Sequence, residues 1–225
     1  MTRVIDLTWP LWEGMPNHPA HPVSPKLLSG TMSHKATAQF LLAGHVGTHL
    51  DAPYHGNPEG PTVDAVDLRH VCGAAVWLDV SAAFGPRALV TPDHLERALA
   101  AAGVPLAPIV LLYTGWSRTR EDPHRYFRDS MGLSEDAAVW LRERGTLTVG
   151  VDAPSVDPGG SAEAPAHMNF FRPRAGEPYI CVIESLVRVE EIPRPRFHFV
   201  GAPLPLKGAS GSPIRAPFSR KTRAS

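Results

Sequence analysis

Four side chains with chemical potential fall in one short stretch, GHVGTHLDAPYHG at residues 44–56. They are His45, His49, Asp51 and His55, all at odd-numbered positions. On an extended strand they share one face, with Val46, Leu50 and Tyr54 on the other. On a helix, at about 100° per residue, they scatter over two faces. Gly47 and Pro53 also oppose a helix. A straight strand does not gather them, because at about 3.3 Å per residue the ends of the run stand about 30 Å apart. The segment must therefore bend. Gly44 and Gly47 allow a bulge or turn, and Pro53 ends the strand. Two imidazoles and a carboxylate on one point suit zinc. Three protein ligands with one position left open form the arrangement that activates water near neutral pH. Manganese fits mixed imidazole and carboxylate sites as well. A lone histidine is ordinarily a core or surface residue. Three histidines and an aspartate within eleven residues, flanked by glycine, favour a metal site.

Rigid elements must hold these groups. Residues 4–7 read as a short apolar strand. Residues 9–25, rich in proline and carrying Trp12, His18 and His21, form a loop. Such a loop either lines a site or only covers the core. Residues 36–42 are expected as a strand leading into the metal segment. Residues 56–61 read as a turn-rich loop, and 63–66 as a short helix or an irregular connection. Strands follow at 74–80, 109–113, 147–151, 179–183 and 197–200. Helices are expected over 91–102, capped by Thr91 with Pro92 first and Gly103 last, and over 134–144, capped by Ser134 and ended by Gly145. Residues 114–128 are polar and carry Trp116, Arg118 and Arg120. Alternating strands and helices predict an α/β layered fold in a single domain, with no internal repeat or linker.

Two further residues invite a role at the metal. Glu184 follows the mostly apolar run YICVI, where a buried, unpaired carboxylate is costly. It is either a ligand or a strand-end residue in solvent. His167, in PAHMNFF, is the other candidate. The stretch DAPSVDP at 152–158 reads first as turn chemistry. The alternative is that Asp152 or Asp157 orients a ligating histidine.

Composition narrows the class. Lys+Arg and Asp+Glu both number 22, so no basic footprint marks a nucleic-acid binder. The 24 prolines are dispersed, which points to fixed loops and not to a disordered tract. Cys72 and Cys181 read as small hydrophobes outside any CxxC pair. With no signal-like opening and no long apolar run, a cytoplasmic protein without a membrane segment is expected.

HVGTHLDAPYH resembles the HxGTHxDxPxH signature of the metal-dependent cyclase family, which includes bacterial kynurenine formamidases and isatin hydrolases. GSPIRA at 211–216 resembles that family's C-terminal motif and is expected to be ordered. The resemblance implies a swivelling β/β/α fold over residues 1–218, a flexible tail at 219–225, and a homodimer. It implies one or two Zn2+ or Mn2+ ions held by His45, His49 and Asp51, with His167 and Glu184 completing the set. Asp51 and Glu184 would bridge the ions, and His55 would be the general acid/base. In the formamidases a loop tryptophan packs on the substrate ring. Its place falls on His18 here, with Trp12 nearby, so both are expected to bind substrate, in a more polar pocket. The function implied is metal-dependent hydrolysis of an amide, formamide or cyclic amide of a small molecule by metal-activated water. The alternatives are a metal-dependent lyase or cyclase acting on a small carbonyl substrate, and a non-catalytic, metal-stabilised binding protein.

Overall fold

The computed structural model describes residues 3–19, 24–32 and 35–220. In chain order the strands are β1 (Arg3–Asp6), β2 (Lys26–Met32), β3 (Lys35–Leu41), β4 (His49–Asp51), β5 (Cys72–Asp79), β6 (Leu89–Val90) and β7 (Ile109–Tyr113). They continue with β8 (Gly132–Leu133), β9 (Thr148–Val151), β10 (Cys181–Glu184), β11 (Arg196–Val200), β12 (Gly211–Pro213) and β13 (Pro217–Arg220). The helices are α1 (Pro92–Ala102), α2 (Pro123–Arg128), α3 (Glu135–Glu143) and α4 (Pro165–Phe171).

The main sheet has the order β11-β5-β7-β9-β10-β4-β12. Its centre, β5 to β10, is parallel, and β11, β4 and β12 run antiparallel to their neighbours. A parallel centre is covered on both faces, which is why β7 is apolar along its whole length. Val110 and Leu112 face a core shared with Leu95, Ala138, Leu141 and Phe170 of the helices. Ile109 and Leu111 face a second core with Ile5, Leu7 and Phe218, brought by the antiparallel ribbon of β1 and β13. Ribbon, sheet and helices make the β/β/α layering that the resemblance implies.

The local signals for α1 and α3 work as physics requires. Thr91 precedes α1, its N–H bonding the His94 imidazole at 3.1 Å, and Gly103 closes the helix at φ +63°. Ser134 Oγ accepts from the Ala137 N–H at 3.1 Å, and Gly145 turns the chain after α3 at φ +75°.

The strand expected over 36–42 forms as β3; among the described residues it pairs with β2, from Lys26 opposite Leu41 to Met32 opposite Lys35, apart from the main sheet. Backbone pairing here makes a strand of a segment without apolar alternation. Helices α2 and α4 are additional, each too short for a legible period. Ser219 and Arg220, expected in a flexible tail, instead pair with β1 in β13, and Phe218 is buried beside them. Residues 221–225, the rest of that tail, lie outside the described residues, as does His21.

Candidate metal centre

The bend demanded by the histidine spacing is built at two points. Gly47 adopts φ +58°, a left-handed conformation that glycine takes at no steric cost, and a Cβ there would meet Leu11 at 2.4 Å. This turn lies between His45 and His49. After β4 a 3-10 turn over Pro53–His55 folds the chain back, leaving the His55 ring centroid 4.1 Å from that of His45. Between the two turns, His49 and Asp51 share one face of β4 while Leu50 is fully buried on the other.

Two strands close on this segment. β10 runs antiparallel to β4 with Glu184 opposite His49, so the glutamate falls on the same face. β12 lies on the other side of β4 with Gly211 opposite Asp51. A Cβ on Gly211 would stand 2.5 Å from the His45 imidazole, and one on Gly44 would stand 2.7 Å from the Gly211 carbonyl oxygen. The ordered GSPIRA motif is thus a wall of the site, and backbone must approach the histidine directly. Next to it, Ser210 Oγ lies 2.8 Å from His45 Nε2.

All five expected ligands converge. His45 Nδ1 bonds Asp51 Oδ1 at 2.5 Å. His49 Nε2 lies 3.2 Å from Asp51 Oδ1 and 3.4 Å from Glu184 Oε2. His167 Nε2 lies 3.2 Å from Glu184 Oε1 and 3.5 Å from Asp51 Oδ2. His45, His49 and Asp51 form one group, and Asp51, His167 and Glu184 a second, with ligand atoms within 4.8 Å of one another. All five side chains are buried.

The far nitrogens are already committed, which leaves the near ones facing inward. His49 Nδ1 donates to the Gly47 carbonyl at 2.8 Å. His167 Nδ1 donates to Asp157 Oδ2 at 2.5 Å. Asp157 also accepts the α4 amides of Ala166 at 2.8 Å and His167 at 3.2 Å. The turn reading of DAPSVDP is corrected for Asp157: it caps α4 from outside and orients a histidine. Asp152, by contrast, accepts from Thr114, Gly115 and Ser117 alone among the described residues and stays structural. The N-cap position of α4 is Ala164, at φ +45°, which has no side-chain group to cap the helix. This is why the sequence hides the helix.

The donor set fits a divalent cation. For bonds of about 2.1 Å, the edge of a tetrahedron of ligands is about 3.4 Å, and the four cross-contacts of His49 and His167 span 3.2 to 3.5 Å. His167 Nε2 is buried with no hydrogen-bond partner among the described residues. Burial works against a charge on His49, yet Asp51 and then Glu184 outweigh it and raise its pKa to about 9. Burial also opposes charge on His167, and its bond to Asp157 with the Glu184 carboxylate nearby holds it well above the usual imidazole range. Burial by itself would raise the pKa of Asp51, but His45 and His49 hold it well below the ordinary value. The cluster draws positive charge inward, as protons or as metal.

These groups open on a cavity of about 460 Å³. His55, exposed at the end of its turn, lines it, as does half-buried His18, whose ring stands edge-on to Phe127 at 6.0 Å. Trp12 does not reach it. It is 46% exposed and lines a separate apolar cleft with Leu11, Phe40 and Leu42. Trp9 lines the cavity instead, its N–H held by Thr48 Oγ1 at 2.7 Å. That bond fixes Trp9 beside β4, and Trp12 packs edge-on against the Trp9 ring at 5.8 Å, outside the cavity. Sequence reasoning passed over Trp9, Phe127, Arg128, Ser130 and Ser210, whose spacing relative to the histidines carries no pattern.

Comparison with known proteins agrees with this geometry. The chain is 31% identical over 217 residues to the kynurenine formamidase of Geobacillus thermodenitrificans (strain NG80-2), covering 96% of this chain and 94% of that protein. It is 30% identical over 214 residues to the kynurenine formamidase of Paracidovorax citrulli (strain AAC00-1), with 94% of each covered. Among solved structures, isatin hydrolase A from Ralstonia solanacearum superposes with a TM-score of 0.82 at 26% identity, over 98% of this chain and 92% of that one. An isatin hydrolase bound to the product analogue thioisatinate shares the fold with a TM-score of 0.85 at 23% identity, covering 98% of this chain and 93% of that one. The family model described as putative cyclase matches residues 5–158, the stretch that holds the bend, β4 and Asp157, and the chain belongs to that family.

Proposed function

We propose that this chain is a metal-dependent hydrolase that cleaves the amide or formamide bond of a small aromatic or cyclic molecule. One observation carries the reading: the Asp51 carboxylate belongs to both ligand groups, between two buried imidazole sets whose other nitrogens are already bonded. The full-length relatives named kynurenine formamidase support formamide cleavage, and the isatin hydrolase A structure supports cyclic amides. His45, His49 and Asp51 would hold one zinc ion, and Asp51, His167 and Glu184 a second, with manganese as the other candidate.

A divalent ion bound there supplies a Lewis acid for the carbonyl oxygen and lowers the pKa of a coordinated water. The chain's own groups do the rest. Asp157 and the Gly47 carbonyl hold His167 and His49 in the tautomers that present Nε2 inward. His55, exposed to the cavity next to His45, carries the proton to the leaving nitrogen, since an imidazole titrates near working pH. Trp9 and Phe127 supply apolar walls for a flat substrate. His18 adds a donor and an acceptor, which suits a substrate more polar than formylkynurenine. Residues 1–220 act as one domain in this proposal, as a homodimer in the cytoplasm. No described helix is long and apolar enough to cross a membrane.

Metal analysis joined to a hydrolysis panel of formamides, lactams and esters tests the reading. Purified protein should carry about one or two equivalents of zinc or manganese per chain. It should hydrolyse at least one amide, and chelation should stop turnover until metal is restored. Full activity in exhaustively chelated, metal-free protein sinks the proposal.

A further inference from the structure

Ser185 is held in a backbone conformation that serine rarely adopts. Among the described residues, four that are not glycine have positive φ: Arg87, Ala164, Ser185 and Arg188. Arg87 and Arg188 are exposed at the surface. Ser185, at φ +57°, is the one of the four that is buried, at 4% exposure, and it lines the cavity directly after Glu184. A turn that needs such a φ is served by glycine at no steric cost. A serine there costs free energy, and what it adds over glycine is a hydroxyl.

The surrounding chain enforces the conformation. Ser185 N–H donates to the Ala153 carbonyl at 2.8 Å, and the Ser185 carbonyl accepts from Thr48 Oγ1 at 2.6 Å. The same Thr48 oxygen holds the Trp9 N–H. The hydroxyl is aimed as firmly as the backbone. Tyr126, on α2 and 1% exposed, donates its O–H to Ser185 Oγ at 3.1 Å. The Tyr126 ring stands edge-on to Trp9 at 5.5 Å, and the Tyr126 carbonyl takes the Trp116 indole N–H at 3.0 Å. Ser185 Oγ has no other hydrogen-bond partner among the described residues. With one lone pair used by Tyr126, the Ser185 O–H is left to donate into the cavity.

We propose that Ser185 is a catalytic residue that donates a hydrogen bond to the substrate's carbonyl oxygen, with Tyr126 as the positioning residue that orients it. This rests on the amide-hydrolase reading and adds a donor to it. Attack by water moves an electron pair of the C=O bond onto that oxygen, which gains negative charge. A donor fixed beforehand meets the growing charge without reorganising, and a carbonyl oxygen has two lone pairs, so one can take the Ser185 O–H while the other meets a Lewis acid. No proton leaves Ser185, and His55 keeps its task at the leaving nitrogen. The hydrogen bond strengthens as the charge grows, so its effect falls on turnover more than on binding. The strained backbone at Ser185 is retained for a contact made at the reacting carbonyl.

The test uses full-length, zinc-loaded protein with formanilide or, where it turns over faster, a lactam. Ser185→Gly removes strain and hydroxyl together, and Ser185→Ala removes the hydroxyl alone. Both should lower kcat by about tenfold or more, with KM within about twofold and zinc content unchanged. Tyr126→Phe should lower kcat severalfold, because the serine hydroxyl is then free to rotate. Tyr126→Phe combined with Ser185→Gly relieves the backbone and leaves no buried hydroxyl without a partner. Its melting temperature should rise by a few degrees while its kcat stays low. A merely structural serine gives the reverse, a lower melting temperature at unchanged kcat, and that result overturns the proposal. So does a loss of kcat in Ser185→Gly that Ser185→Ala does not share, or one that comes with loss of zinc. If the unmodified protein hydrolyses no amide, the amide-hydrolase reading fails on its own, and the infrared C=O stretch of bound formanilide decides the donor. A lower frequency in the unmodified protein than in Ser185→Ala upholds it; equal frequencies overturn it.

Discussion

Asp51 and Asp152 are both fully buried aspartates at the ends of main-sheet strands, and they do opposite things. Asp152 follows β9 and is surrounded by donors: the Thr114 N–H at 2.7 Å and Oγ1 at 2.5 Å, the Gly115 N–H at 3.0 Å and Ser117 Oγ at 3.0 Å. Burial raises its pKa, and those bonds only partly offset the rise. Every partner is a hydroxyl or amide of the turn after β7, so the carboxylate is satisfied by fixed dipoles and ties two strand ends together. Asp51 is instead surrounded by imidazole nitrogens, which hold its pKa well below the usual range. Imidazoles offer lone pairs as readily as protons. A buried carboxylate among N–H and O–H donors is a structural knot, whereas one among imidazoles, with a second carboxylate at Glu184, is a site that asks for a cation.

The comparison is broken most directly by removing each aspartate in turn. Asp51→Ala should lose the metal and lower turnover by about a thousandfold or more, with metal content measured on folded protein. Asp152→Ala should keep its metal stoichiometry but lose about 3 kcal/mol of unfolding free energy in urea titration, because five donors lose their acceptor. Metal loss in folded Asp152→Ala, with stability intact, would erase the distinction between the two carboxylates. Within the metal cluster, His55→Ala sharpens the boundary between ligand and proton carrier. It should retain metal and slow turnover by about a hundredfold. Should it lose metal as completely as His49→Ala, His55 would count as a ligand. The smallest effect is expected at Asp157, which belongs to the site without facing the metal. Asp157→Ala should weaken metal affinity by about tenfold through His167 and leave the His45 group loaded at saturating metal.

Much of the site is legible in the chain because its logic is local. The odd-numbered spacing of His45, His49, Asp51 and His55, the permissive Gly47 and the breaking Pro53 all act within eleven residues. The caps of α1 and α3 act within four. Such rules depend on dihedral preference and on which face a side chain takes, and these travel with the sequence wherever the segment lies. The place of Trp12, outside the cavity lining, is not legible for the complementary reason. A proline-rich loop has no period, so nothing in it says which tryptophan turns inward until Thr48 holds the Trp9 amide.

The sequence by itself determined that residues 44–56 would bend and gather ligands, that apolar strands would alternate with capped helices in layers, and that Glu184 would be costly without a partner. Only the tertiary structure decided who the partners are. Glu184 meets His49 because β10 pairs with β4 in one register, and a shift by one residue would turn the carboxylate to the opposite face. His167 aims inward because Asp157, ten residues earlier, holds both its ring and the start of α4. Gly211 abuts His45 from 166 positions away along the chain, with only bare backbone fitting the gap. These placements follow from strand pairing and backbone packing between distant segments, and no short-range periodicity encodes the register in which distant segments meet.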